Sequence, residues 1–213
     1  RSGHMGTIDD PINKSKGCGG VMRVAPVGLI SNRNSAFALG CEIAAITHGH
    51  KNGYLPAGVL SLIICGLIEG LDLREAVLEA MSELKTYEGH EDCLALLEKA
   101  VKLVDNGYYT QGSIRELGEG WVGEEAIAIA VYCALKYKDD FRKALCMSVN
   151  HDGDSDSTGA ITGNILGAYL GIEAIPADWI EKMELKNELV ILADDLLTGF
   201  EESEEWISKY PGW

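Results

Sequence analysis

Residues 153–171 read "GDSDSTGAITGNILGAYLG", an acidic turn that runs directly into a small-residue apolar segment. The apolar part predicts a helix over about 157–170. Gly159, Gly163, Gly167 and Gly171 recur every fourth residue and place a bare stripe along one face of that helix. Each glycine inside a helix costs about 1 kcal/mol relative to Ala, so the spacing predicts close approach of a neighbouring helix. The crowded aspartates at its start, Asp152, Asp154 and Asp156, admit two readings. Asp154, Ser155, Asp156, Ser157 and Thr158 all suit a helix N-terminus, where acids accept free N–H groups and complement the dipole. Two carboxylates and a hydroxyl at adjacent positions also suit a hard cation such as Mg²⁺ or Ca²⁺. A calcium loop of the EF-hand type fails, because Ser157 stands where its glycine is required and Gly163 where its terminal glutamate is required.

Working outward, the chain has 213 residues, enough for one large domain or one domain with an appendage. Its 46% hydrophobic residues can bury a substantial core. Residues 1–5, "RSGHM", look like the remnant of a cleaved expression tag, which leaves 6–213 as a single domain. A formal net charge of −15 argues against a nucleic-acid groove or an anionic membrane as partner. The cysteines Cys18, Cys41, Cys65, Cys93, Cys133 and Cys146 are dispersed and mostly in apolar surroundings. They read as reduced core residues and predict a cytoplasmic protein. The longest apolar stretch, "GVLSLIICGLIEGL", is interrupted by Glu69 and reads as too brief for a membrane span.

Residues 6–35 are rich in Gly, Pro, Asn and Ser and read as ordered loop and short turns. Helical periodicity then dominates, over 36–48, 54–70, 73–85 and 91–105. A turn around 106–113 precedes helices near 124–137, 139–149 and 157–170, and a last one near 187–201. Asp72 before "LREAVLEAM", and Pro176 with Asp178 before "WIEKM", supply starts. No β alternation is present, so the expected class is all-α.

Four stretches in order, from about residue 13 to 171, resemble the ADP-ribosylglycohydrolase family: "SKGCGGVMRVAPVGL", "AAITHGH", "GEGWVGEEAIAIAVYCAL" and "GDSDSTGAITGNILGAYLG". The resemblance implies a compact orthogonal bundle of α-helices, two Mg²⁺ ions, and hydrolysis at the anomeric carbon of an ADP-ribosyl group on a protein side chain or other acceptor. Asp154, Asp156 and Ser157 fall on the family's C-terminal metal ligands. Gly17, Gly19, Gly20, Met22 and Arg23 fall on the loop that holds the diphosphate and distal ribose. His48 falls on a substrate-contacting histidine, and Trp121 where the family lines its ligand cleft. The residues themselves leave alternatives open. The glycines would let backbone N–H groups approach a pyrophosphate, or make an ordinary loop. His48 could complement a helix end, Arg23 could be a structural ion-pair partner, and Trp121 could be core.

The family also brings a Ser/Thr-Asp-Asp motif well upstream of the glycine loop. "TIDDP" at 7–11 does not match it in spacing or position, so the expectation is a C-terminal portion that carries half of the metal ligands and is poorly active alone. The general base is left unassigned, and Glu124 and Glu125 are expected to open their helix. The rival expectations are a non-catalytic ADP-ribose-binding or interaction module, and a structural helical domain with capping aspartates.

Overall fold

The computed structural model describes residues 4–107 and 111–211. Part of the turn expected at 106–113 and part of the presumed tag remnant therefore lie outside the described residues. The chain forms two compact units, Arg1–Ile175 and Pro176–Trp213, where the sequence reading takes 6–213 as one domain. The described residues are helical, and a single isolated antiparallel bridge joins Gly17 to Val122.

In the first unit, α1 (Gly19–Met22) and α2 (Ala25–Ile30) lie inside the stretch read as loop and turns. Pro26, in the first turn of α2, fixes a helical φ where no N–H is needed. The helices α3 (Arg33–Ala45), α4 (Lys51–Ile68), α5 (Leu73–Leu84) and α6 (Glu91–Asp105) follow. Next come α7 (Gln111–Arg115), α8 (Gly123–Lys136), α9 (Phe141–Val149) and α10 (Ser155–Leu170).

The core is α4, in which every residue from Asn52 to Leu67 is buried. It packs on α1, α2, α3, α5, α6, α8 and α10. By length and composition α4 could cross a bilayer, longer than the apolar stretch the sequence singles out because the helix begins at Lys51. Here 89% of it is buried within the fold. A second apolar cluster of Leu103, Ile114, Leu117, Ile129 and Tyr132 seals α8 against α6 and α7.

Pro56, inside α4, has no N–H to offer the carbonyl of Asn52 one turn earlier. That carbonyl instead faces Gly123, the first residue of α8, where a Cβ would stand 2.4 Å from it. The start of α8 is thereby seated on the start of α4, next to the site described below.

The glycine stripe of α10 behaves unevenly. A Cβ on Gly159 would stand 2.6 Å from Val149 of α9, whereas at Gly163 the nearest atom, on Leu145, is 3.8 Å away. Nothing lies within 4 Å at Gly167. Gly171 ends the helix with φ +76. Close approach, expected along the whole stripe, is confined to its first turn.

The second unit holds α11 (Ala177–Glu181), α12 (Lys186–Thr198) and α13 (Glu204–Lys209). Trp206 packs between Phe200, met edge to face, and Tyr210, with ring centroids 5.5 and 5.1 Å away. Asp195 accepts from Lys209 Nζ at 2.8 Å and from the Tyr210 hydroxyl.

Asp72 shows how one cap ties several elements. Its carboxylate accepts from Arg74 N at 2.9 Å within a capping box completed by Glu75, and also binds Lys138 Nζ and the Tyr169 hydroxyl. The Arg74 amide first, then Tyr169 and Lys138, hold its carboxyl below the usual Asp value. A depressed carboxylate pKa contributes stability above the unfolded value, near pH 4, and loses it as pH falls through the folded value. Asp72→Ala is expected to cost about 1 kcal/mol at neutral pH, with the gap to wild type closing in urea titrations run toward pH 2.

Candidate functional site

The acidic turn folds on local polar bonds. Gly153 N donates to His151 Nδ1 at 3.1 Å, leaving the other ring nitrogen to donate to Thr158 Oγ1 at 2.9 Å. The Thr158 hydroxyl passes on to the carbonyl of Ser148 at 2.7 Å. Asp154 N donates to the carbonyl of Glu119 at 2.8 Å, and Gly153 lies so close to that carbonyl that any Cβ would overlap it. Gly153→Ala is therefore expected to lower stability by about 3 kcal/mol, read as a fall in Tm, by forcing the turn away from residue 119.

Asp154 occupies the N-cap of α10 but makes no side-chain cap bond. Its carboxylate reaches across the fold instead. The Cys18 thiol donates to Asp154 Oδ2 at 2.8 Å and lies 3.3 Å from Ser157 Oγ, which points on to Met22 Sδ at 3.6 Å. Residues 136 apart in sequence thus meet in one contact. Burial, then the Asp154 bond, push the Cys18 thiol up to about 11, so it stays protonated and able to donate. Burial also works to raise the Asp154 pKa, but hydrogen bonding, that from the Cys18 thiol foremost, holds it below the usual carboxylate range. Asp156 itself is exposed.

The glycine loop is threaded onto the start of α8 by its main chain. Cys18 N donates to the carbonyl of Trp121 at 3.3 Å, and Gly123 N to the carbonyl of Lys16 at 2.8 Å. His48 underlies the loop: a Cβ on Gly19 would stand 3.3 Å from its Nε2, and one on Gly17 3.5 Å. The amides of Gly19 and Gly20, in the first turn of α1, take no protein acceptor among the described residues.

Arg23 turns away from the loop. Its Nη2 donates to Thr47 Oγ1 at 2.6 Å and to the carbonyl of Ile43 at 3.0 Å, and Thr47 Oγ1 is 2.8 Å from His48 Nδ1. The guanidinium therefore stands behind His48. Trp121 is 56% exposed, which removes the core reading. It lines a cleft of about 570 Å³ with Arg115, Glu119, His151 and Asp152, and its indole N–H donates to Glu119 Oε2 at 3.1 Å. Of the residues singled out from sequence, Gly17, Gly19, Gly20, Met22, His48, Asp154 and Ser157 converge. The Trp121 ring opens into the adjoining cleft. Asp9 and Asp10 lie elsewhere, with Asp10 engaged by Thr7 and His4.

Glu124 and Glu125, both in the first turn of α8, do different things. Glu125 Oε2 accepts from the amides of Glu119 and Gly120, each at 3.0 Å, and fastens the loop that carries Trp121. Glu124 is buried. Its Oε1 accepts from Asn52 Nδ2 at 2.9 Å, while Oε2 has no partner among the described residues. Burial raises its pKa above the usual Glu value. A raised carboxyl pKa means that folded-state stability is lost as pH climbs from the unfolded value, about 4.3, through the folded one. Glu124→Gln carries no such charge, so its stability relative to wild type is expected to improve as pH rises above about 4 and to level off once the wild-type carboxyl has ionised, read in chemical denaturation.

Comparison with known proteins bears on this arrangement. A sequence model described as ADP-ribosylglycohydrolase matches residues 1–205. The chain belongs to the ADP-ribosylglycohydrolase family. It is 26% identical over 216 aligned residues to ADP-ribosylhydrolase ARH3 of Mus musculus, covering 89% of this chain and 58% of the mouse protein. It is 42% identical over 50 residues to the ADP-ribosyl-[dinitrogen reductase] glycohydrolase of Rhodospirillum rubrum, covering 24% of this chain and 17% of that protein. A solved ADP-ribosylglycohydrolase-related protein complex superimposes with a TM-score of 0.72 at 25% identity, covering 89% of this chain and 62% of that one. The all-α architecture is that of the family. The chain spans about three fifths of the length of the mouse relative.

Sequence reading missed Cys18, which passed for a core thiol; its place inside the glycine loop was the available signal. It also missed Thr47, and the division of labour between Glu124 and Glu125.

Proposed function

We propose that this chain binds an ADP-ribose-bearing substrate between the glycine loop and the acidic turn. In the whole protein it would take part in Mg²⁺-dependent hydrolysis of the glycosidic bond to a protein side chain or other acceptor. The observation that carries the reading is the Cys18 contact, which brings the loop suited to a pyrophosphate against Asp154 and Ser157. The amides of Gly19 and Gly20, which have no protein acceptor among the described residues, suit phosphate oxygens and need no lysine patch, in keeping with the net charge of −15. The exposed face of Trp121 suits stacking on adenine or ribose.

The carboxylates of Asp154 and Asp156 and the hydroxyl of Ser157 are hard oxygen donors of the kind Mg²⁺ takes. They supply three of about six positions, and no group of three or more His, Cys, Asp or Glu side chains able to hold a metal occurs among the described residues. They fit one side of a site. When bound, Mg²⁺ supplies Lewis-acid stabilisation and orients the hydroxyls of the sugar. The acids themselves favour the positive charge that develops at the anomeric carbon as the bond to the acceptor breaks. Glu124 and Glu125 are committed to Asn52 and to the amides of residues 119 and 120, so they hold structure and are not offered as the base.

A second reading, an ADP-ribose-binding module without turnover, is favoured by one observation: the Cys18 thiol donates to the Asp154 oxygen that a cation would otherwise take. Calorimetry with ADP-ribose in Mg²⁺ or EDTA separates the two. Binding strengthened by Mg²⁺ in wild type, with the dependence abolished in Asp154→Ala, is expected; tight binding indifferent to EDTA favours the module. An absence of binding leaves a structural domain. With a half-built ion site, release of ADP-ribose from modified arginine or serine peptides by this chain is expected to be slow, and rapid Mg²⁺-dependent release would refute the half-site.

A further inference from the structure

We propose that Arg23 and Thr47 act together as positioning residues that fix His48 as the Nε2–H tautomer, so that it presents a hydrogen-bond donor beneath the glycine loop. The proposal rests on the binding reading above and says what kind of ligand atom the loop floor takes: an acceptor oxygen, of a phosphate or a ribose hydroxyl.

Arg23 has only donors, and Nη2 spends its two on Thr47 Oγ1 at 2.6 Å and the Ile43 carbonyl at 3.0 Å. Thr47 Oγ1 receives one of them, and its own proton must go elsewhere. The acceptor within reach among the described residues is His48 Nδ1, at 2.8 Å. With that donation Nδ1 turns its lone pair to Thr47, and the single proton of the neutral ring sits on Nε2. Protonation of both nitrogens is opposed by burial and by the Arg23 charge. Nε2 lies against Gly17 and Gly19, where it takes no protein partner among the described residues. The opposite tautomer would aim a lone pair at the same place and repel a phosphate oxygen. Arg23 thus influences an anionic ligand through two intermediates without touching it, which explains why a cation beside this loop faces away from it.

The imidazole nitrogens report the tautomer directly. In long-range ¹H–¹⁵N spectra of the wild-type chain, His48 is assigned by its loss in His48→Gln. His48 is expected to show a protonated, pyrrole-type Nε2 and an unprotonated, pyridine-type Nδ1. His90, whose Nδ1 faces the Tyr87 carbonyl at 2.7 Å, supplies the reverse pattern as an internal reference. Thr47→Val, at an exposed position, is expected to keep the wild-type Tm, give a mixed tautomer at His48, and weaken ADP-ribose binding by about fivefold, the worth of one neutral hydrogen bond. Thr47→Ser is expected to restore both. A wild-type His48 protonated at Nδ1, or a Thr47→Val spectrum unchanged from wild type, would overturn the proposal. Wild-type protein that shows the expected tautomer and binds no ADP-ribose overturns the reading of the pocket while the nitrogen shifts still establish the relay.

Discussion

The burial of α4 from Asn52 to Leu67 is the constraint from which the rest of the first unit follows. A helix apolar on all sides can be satisfied only by surrounding it, and seven other helices do so. Its N-terminal end cannot be closed by apolar packing alone, because Pro56 leaves a carbonyl free and Asn52 brings a polar side chain inside. The fold answers with Gly123, which comes close enough to meet the carbonyl, and with the carboxylates of Glu124 and Asp92, which take the Asn52 amide. The site begins at that junction: solving the end of the core helix fixes where α8 starts, and the start of α8 is where the glycine loop is threaded.

The centre of the site is correspondingly a meeting of loops, each rigid for a separate reason. Glu125 holds residues 119 and 120, His151 and Thr158 shape the acidic turn, and His48 lies under the glycines. Cys18 joins them with a protonated thiol, a weak donor that works here because burial keeps its proton on. The aspartates that open α10 are thus not spent on capping alone. Asp154 sits at the cap position and sends its carboxylate sideways, so the two readings that the sequence left open share one residue.

Much of the helical frame was legible because it is written in local chemistry. The helix over 91–105 appears with those bounds, and Asp72 caps as expected, since periodicity and capping depend only on near neighbours. The convergence of Gly17, His48 and Asp154 came from a resemblance of four ordered stretches; spacing alone would have left an ordinary loop and a helix-end histidine. What stayed hidden depends on partners distant in sequence. Cys18 looks like any buried thiol until Asp154 is brought to it, and the bond from Arg23 to Thr47 appears only once their segments meet. The glycine stripe misled because its period describes one helix, whereas close packing depends on how far α9 runs beside it, and that ends near Gly163.

The loops around the site are laced chiefly through main-chain atoms: Cys18 to Trp121, Lys16 to Gly123, Glu119 to Asp154. A peptide amide or carbonyl offers the same bond whatever side chain it bears, so the cradle can be inherited while most of its residues drift. Lineages are then free to retune which molecules they accept by altering the outward-facing groups, without rebuilding the frame. The fixed points in such divergence are steric and few, chief among them the bare backbone at Gly153 and Gly123.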